Sequence, residues 1–415
     1  MSARTESIEA RLAAAGLPPL PRTAWLELDL GALADNLALL REAAGGVPAY
    51  PVVKGDAYGH GALPIARALV EAGADGLSVA TMDEALELRE AGLTLPIRVL
   101  YPIPPGLVAD AMRDGITLAI GDPATAGPLL AAADAAAPSL PGRELLLEIE
   151  IETGLGRGGT APSQVVDVVK RIEASRVARL TGLWTHLQAS EVADTTAGQL
   201  RRFREASDAL EASGRATPLR HVAASGGVLT HVGGFDGIRP GLSIYGIVPD
   251  EIDPALVPDR GGKRLRPVMS LHARPARVAD LPAGHGISYG PTFTTSRPSR
   301  IATLPLGYGD GFARANANRS HALVRGQRVP LVGNVTMDAV MADVTDVPGP
   351  PVTIDDEFVL LGSQGDERIP VEELAQQRTT NTWEVVTSMS GRLPRVYHAA
   401  TGAVVGLRTL TRWRG

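Results

Sequence analysis

The chain contains no cysteine, so disulfide frameworks, thiolate metal centres and cysteine nucleophiles are excluded together. An excess of positive charge is missing too. Forty basic residues face 46 acidic ones, a formal net charge of −6, which argues against a nucleic-acid footprint and an anionic membrane surface. No stretch approaches the ~18 apolar residues of a membrane span. The N-terminus, MSARTESIEARLAAAGLPPLP, carries scattered charges and no apolar core of the kind a secretion signal has. These absences predict a soluble, cytoplasmic protein whose default partner is a small molecule. Lysine is almost absent: of the 40 basic residues only Lys54, Lys170 and Lys263 are lysines. Lys170, in the helix-like VVDVVKRIEASR, and Lys263, in the polar loop DRGGKRLRP, read as solvated surface. Lys54 instead ends the apolar run AYPVVK and is followed by a glycine.

The 415 residues suffice for two or three domains, or for one large barrel with a smaller partner, and 44% apolar residues suffice for a core. Forty-six glycines and 32 prolines indicate many tight turns. Short β-prone runs recur at 49–54, 76–81, 97–101, 117–120, 145–151, 180–186, 220–225 and 237–239, most of them separated by Ala/Leu-rich helical patterns. This alternation predicts eight parallel strands with helices outside, an α/β fold of the (β/α)₈ barrel type. Beyond about residue 255 the texture changes to short strands between turn residues, a mostly β domain. The expected organisation is an N-terminal extension over 1–22, loosely attached, a barrel over 23–257 and a β-rich domain over 258–415. Residues 23–30 are open to assignment as a strand of the β half.

A barrel of this kind builds its site at the C-terminal ends of its strands. That rule selects Lys54, Arg157, His186, Ser225 and Arg239, after strands 1, 5, 6, 7 and 8. The same rule places phosphate binding after strands 7 and 8, where SGG (225–227) and PGLSIYG (240–246) can bring backbone N–H groups to an anion. A lysine at the mouth facing a phosphate site suggests a Schiff base to pyridoxal phosphate. Each residue has a plainer reading, since a histidine or arginine at a strand end is often a structural hydrogen-bond or ion-pair partner. A competing motif is Gly154-Leu-Gly156-Arg-Gly-Gly159, a formal GxGxxG with Glu173 about 20 residues on, which would mean a dinucleotide enzyme. Arg157 in the middle of the turn, and Thr160, Ala161 and Pro162 before the next helix, weigh against it.

The segment VVKGDAYGHGA (52–62) resembles the lysine motif of alanine racemases. Further landmarks of that family follow in order: TAWLELDLGALADNL, ETGLGRGG, GLWTHLQAS, HVAAS, IRPGLSIYG, GISYG, LGYGDGF, GNVTMDAVMADVT and WEVVTSMSGRLPRVY. The resemblance runs from about residue 23 to the end. It implies a homodimeric, pyridoxal-phosphate-dependent racemase, of fold type III among enzymes of that cofactor, that interconverts L- and D-alanine, with a role in D-alanine supply for peptidoglycan. By resemblance Lys54 carries the cofactor and acts as one acid/base, and Tyr289 of the partner subunit is the other. Arg157 and the backbone of Met337, also across the interface, hold the substrate carboxylate. Tyr58, Ser225, Gly241 and Leu242 hold the phosphate, and Arg239 faces the pyridine nitrogen with His186 behind it. Glu150, Tyr308, Asp338 and Gly391 support the site, and no metal is implied. Because arginine does not give up its proton, the ring nitrogen should stay unprotonated.

Three departures from the family pattern stand out. Glu150 occupies a position where a carbamylated lysine often orients the arginine of the GxGR turn. Thr336 stands where cysteine is common, and Gly391 where some relatives have tyrosine. Gly391 keeps open a racemase of the same fold acting on serine or a larger amino acid. A pyridoxal-phosphate decarboxylase is a weaker rival, since decarboxylases of this fold commonly use an active-site cysteine. A non-catalytic cofactor-binding protein would have no use for the β domain and Tyr289.

Overall fold

The computed structural model describes residues 6–216, 218–233, 235–257, 264–410 and 412–414; Lys263 lies outside them. Contacts divide the chain into two units. One comprises residues 34–57 and 65–265, the other the chain up to Leu33, Tyr58–Pro64 and everything from Arg266 on.

The first unit is a barrel. We label Ala24–Asp29 β1; the barrel strands are then β2 (Leu77–Val79), β3 (Ile97–Val99), β4 (Ile116–Ile120), β5 (Leu145–Glu150), β6 (Ala178–Trp184), β7 (Leu219–Ala224) and β8 (Gly237–Arg239). They pair in sequence order, all parallel. The eighth position belongs to residues 49–53, where the first strand is expected, and it forms only bridges: Ala49 with Ile238 of β8 and Val52 with Ser78 of β2. The reason is in the sequence, because Pro48 and Pro51 remove two of the donors a ladder needs. Tyr50 N still donates to Ile238 O (2.8 Å) and Val53 N to Ser78 O (2.9 Å), so the ring closes. Parallel strands buried on both faces read as near-continuous apolar runs. β5 breaks that rule, since Glu148 and Glu150 are buried together with Leu145, Leu147 and Ile149.

The second unit is a large sheet in which β1 lies parallel to Arg395–His398 and antiparallel to β9 (Met269–Ala273). The N-terminal segment expected to be loosely attached begins with the helix Ile8–Ala14, capped by Ser7. Ile8 and Leu12 pack against Trp25, Val396 and Leu407, and Arg11 pairs with the buried carboxylate of Glu27 at 2.7 Å. Two buried side chains on a seven-residue helix are too short a pattern to read from periodicity. Among the described residues no helix is long and apolar enough to cross a membrane.

Candidate active site

At the end of the first barrel segment the chain turns with the wrong hand. Gly55, Asp56, Ala57 and Tyr58 have φ of 64°, 54°, 54° and 52°, one left-handed turn directly after Lys54. Only glycine takes this conformation without cost, so three of the four residues are strained by ~1–2 kcal/mol each. Such strain persists where the surroundings over-determine it, typically at functional sites. Glu84 is one such constraint: its carboxylate accepts from Gly55 N (2.6 Å) and Ala80 N (2.8 Å). Burial and the Arg157 guanidinium lower the pKa of Lys54, and Glu84 acts in the opposite sense.

β5 ends at Glu150, whose Oε1 accepts from Arg157 Nη2 at 3.2 Å. Burial raises the pKa of Glu150 while Arg157 and Arg239 pull it back. The glycine turn between them is already filled. Gly154 N and Gly156 N donate to the side chain of Glu152 at 2.5 and 3.1 Å, so an internal carboxylate takes the amides that a dinucleotide phosphate would need. That disposes of the GxGxxG reading. The Arg157 guanidinium lies 5.4 Å from the ring centre of Tyr101.

His186 is pushed down to a pKa of about 3, by burial first and then by Arg239, Arg157 and Lys54. It is therefore neutral at physiological pH, and the three cations that act on it share its neighbourhood. After β7 and β8 two short helical turns begin, Ser225–Leu229 and Leu242–Tyr245. Ser225 Oγ ties them by accepting from Gly241 N (3.0 Å) and Ser243 N (3.1 Å). The first-turn amides of a helix have no intrahelical acceptor, which suits an anion.

Arg239 is fully buried. Its Nη1 donates to His221 O (2.7 Å) and to His221 Nδ1 (2.5 Å), and its Nη2 donates to Thr185 O (2.7 Å). The residue behind Arg239 is thus His221, where the sequence reading puts His186; the two lie on adjacent strands, and sequence order does not reveal which is level with the guanidinium. Burial lowers Arg239 to a pKa of about 10, still a cation at neutral pH. Sequence reasoning also missed Glu148 and Arg98. The alternation in LLLEIEI puts Glu148 on the face of Glu150 and was the available signal.

The remaining candidates belong to the β unit. Tyr289 is 81% exposed, Met337 52% and Tyr308 46%. Ser288, at φ 69°, donates from Oγ to Asn334 O (2.7 Å), and Asn334 Nδ2 donates to Tyr289 O (2.9 Å). Tyr308 N donates to Thr336 O and Gly309 N to Met337 O, both at 3.0 Å, and Arg392 Nη2 pairs with Asp338 at 2.6 Å. Gly391 adjoins that arginine, and a Cβ there would meet nothing within 4 Å. Tyr58 is buried. Among the described residues no three His, Asp or Glu side chains are grouped to hold a metal.

A (β/α) barrel whose strand ends carry Lys54, Arg157 and Arg239, in one chain with a mostly β unit, has the make-up of a barrel enzyme. Residues 28–249 match the family of the alanine racemase N-terminal domain and residues 268–397 that of the alanine racemase C-terminal domain. An alanine racemase from Halothermothrix orenii is 36% identical over 394 residues, covering 92% of this chain and 99% of its own. The crystal structure of the alanine racemase from Bacillus anthracis with bound L-Ala-P superposes with a TM-score of 0.85 at 32% identity, over 95% of this chain and 99% of that one. The histidine racemase from Leuconostoc mesenteroides superposes at 0.81 with 26% identity, over 91% and 99% of the two chains. The chain belongs to the alanine racemase family.

Proposed function

We propose that the chain is an isomerase, a pyridoxal-phosphate-dependent racemase that interconverts L- and D-alanine. One observation carries the reading: a left-handed turn follows Lys54 at the barrel mouth, desolvation together with Arg239, Arg157 and Lys54 keeps the half-buried His186 neutral, and Glu150 accepts a hydrogen bond from Arg157 as the carboxylate that balances them. Cations crowded in this way fit an anionic guest, and the phosphate of the cofactor and the carboxylate of an amino acid both answer that need. The residues present fit pyridoxal phosphate. Lys54 would hold it covalently, Tyr58, Ser225, Gly241 and Leu242 its phosphate, and His186 and Arg239 its ring. When bound, the cofactor supplies an electron sink conjugated to the substrate Cα, which acidifies the Cα–H bond.

The protein's own groups do the rest. Arg157, with the backbone of Met337, binds the substrate carboxylate and so fixes which bond of Cα faces each base. Burial makes the Lys54 ammonium easier to deprotonate, and Nζ exchanges a proton with one face of Cα. The Tyr289 hydroxyl, supplied by a second copy of the chain in a homodimer, exchanges a proton with the opposite face. Two bases on opposite faces are what inversion at Cα requires. Arg239 donates hydrogen bonds without losing its proton, which limits how far charge is drawn to the ring nitrogen and favours return of the proton to Cα. The exposure of Tyr289 and Met337 supports the dimer.

The test is a chiral panel on the purified holoenzyme, with L- and D-alanine interconverted faster than any other pair. A preparation that racemises no amino acid overturns the proposal. Racemisation of serine or a bulkier amino acid in preference to alanine would favour the second reading, for which the open space at Gly391 and the likeness to a histidine racemase speak.

A further inference from the structure

Inside the barrel, below the mouth, four polar side chains form a chain of contacts. Arg98 Nε donates to Glu148 Oε1 (2.6 Å), Glu148 Oε2 meets His221 Nε2 (3.0 Å), and His221 Nδ1 meets Arg239 Nη1 (2.5 Å). All four are buried, and the Arg98 guanidinium lies 3.6 Å from the ring centre of Tyr50. The neighbouring strands leave room for this layer. A Cβ on Gly182 would come within 2.9 Å of the Glu148 carboxyl carbon, and a Cβ on Gly76 or Gly237 within 2.9 Å of the Tyr50 ring.

The donors and acceptors allow one arrangement only. A guanidinium has five N–H donors and no acceptor, so His221 Nδ1 must be the acceptor and its proton must sit on Nε2. That Nε2–H needs an acceptor of its own, which Glu148 provides. We propose that Glu148 is a positioning residue: by holding His221 in the Nε2–H tautomer it turns a bare Nδ1 toward Arg239, fixing the guanidinium for the ring of the cofactor. Arg98 balances the carboxylate. The inference rests on the racemase reading for its consequence but not for its geometry. The charges agree with it, since burial holds the imidazole at a pKa of about 4, neutral at physiological pH, while His221 and Arg98 overcome burial and hold Glu148 ionised. A protonated His221, or the other tautomer, would set a donor against a donor.

The decisive measurement is ¹⁵N NMR of His221 in the holoenzyme and in the cofactor-free protein. We expect a protonated Nε2 and an unprotonated Nδ1 in both; a protonated Nδ1 overturns the proposal, whether or not any amino acid is racemised. Two variants extend it. In Glu148→Gln an amide must put its NH₂ toward either Arg98 or His221, and in the double variant Arg98→Leu, Glu148→Leu apolar side chains replace the buried pair. In each we expect the His221 signals to shift to a mixture of tautomers. We also expect kcat for L-alanine to fall on the order of 100-fold with KM little changed, because a misplacement of about 1 Å at a reacting group costs that much. A folded variant that keeps the wild-type tautomer and kcat shows that Glu148 does not position Arg239. Should neither variant fold, the wild-type spectrum still decides.

Discussion

At the barrel mouth the candidate side chains are mostly buried and held, whereas in the β unit they stand in solvent. Arg239 is fixed by two carbonyls and an imidazole, and Ser225 by two amides. Tyr289 and Met337, by contrast, are held through their backbones, and their side chains are among the most exposed large apolar groups of the chain. A buried group with satisfied partners is organised before substrate arrives, which is how fixed charges and dipoles lower a barrier without reorganising. An exposed tyrosine on a loop is organised only if something covers it. The two regions therefore teach different things: the barrel side chains are organised already, and on the proposed reading the loops of the β unit are the half that a second copy of the chain completes.

The largest effect should come from the organised half. Replacing Lys54 by alanine should abolish the visible absorption of the holoenzyme and lower the racemisation rate on the order of 10⁴-fold or more, since the proposed function makes the residue both anchor and base. Borohydride reduction followed by peptide mapping checks the assignment. Label on Lys170 or Lys263 would break the division between the regions, because a lysine away from the mouth would then carry the cofactor.

Next in size is the exposed half. Tyr289→Phe should leave cofactor binding and absorption unchanged and slow racemisation by ~10²–10⁴-fold, the usual cost of losing one positioned acid/base. Solvent-deuterium incorporation starting from each enantiomer would localise the loss to one face of Cα. If the protein sediments as a monomer at working concentration with full activity, or if Tyr289→Phe is as active as wild type from both enantiomers, the completion of the site by a second copy is wrong.

The same contrast explains what was legible in the sequence. Lys54, Arg157, His186, Ser225 and Arg239 could be placed at or just beyond strand ends from strand periodicity, because periodicity is a local property of the chain. His221 and Glu148 could not be matched with Arg239 that way. Their contacts depend on which inward residues of neighbouring strands lie level, and that register is set by packing: Trp184 lies opposite His221, and Glu148 opposite Gly182. The first barrel strand was read correctly as a segment, yet Pro48 and Pro51 reduce it to bridges, an effect that composition foretells and periodicity hides. Tyr289 and Met337 sit on loops and Tyr308 begins a single 3₁₀ turn, none with a periodic signal, so only the likeness to a family pointed to them.

A third, smaller effect sharpens the picture of the exposed half. A Cβ at Gly391 has open space around it, so a tyrosine there can be built without forcing the backbone. If the position borders the substrate, Gly391→Tyr should raise the preference for alanine over serine by about tenfold, within the range that one or two heavy atoms are worth in a pocket. An unchanged ratio of kcat/KM values would place Gly391 away from the substrate.

The smallest effect belongs to Glu150, which lies at the rim of the organised half. A carbamylated lysine and a glutamate both present an anion to the guanidinium of Arg157, but the glutamate needs no CO₂, so activity should be independent of added bicarbonate. Its single 3.2 Å hydrogen bond joins a buried carboxylate to an arginine that is 38% exposed. A charge-assisted bond of this kind contributes ~1.5–3 kcal/mol when desolvated, and exposure of the arginine reduces that to about 1 kcal/mol. Glu150→Gln should therefore raise KM for alanine about fivefold and change kcat little, because in the proposed function Arg157 binds the carboxylate in ground and transition states alike. Burial pushes the Glu150 carboxyl above its ordinary pKa, so acidification should neutralise it before ordinary carboxylates. KM in the wild type should then begin to rise at a correspondingly higher pH, and Glu150→Gln should lack that limb of the profile. Glu150→Lys should be partly rescued by bicarbonate. A Glu150→Gln enzyme with the wild-type KM and an unchanged pH profile would mean that Arg157 is fixed without this carboxylate, by the Tyr101 ring beneath it or by substrate alone.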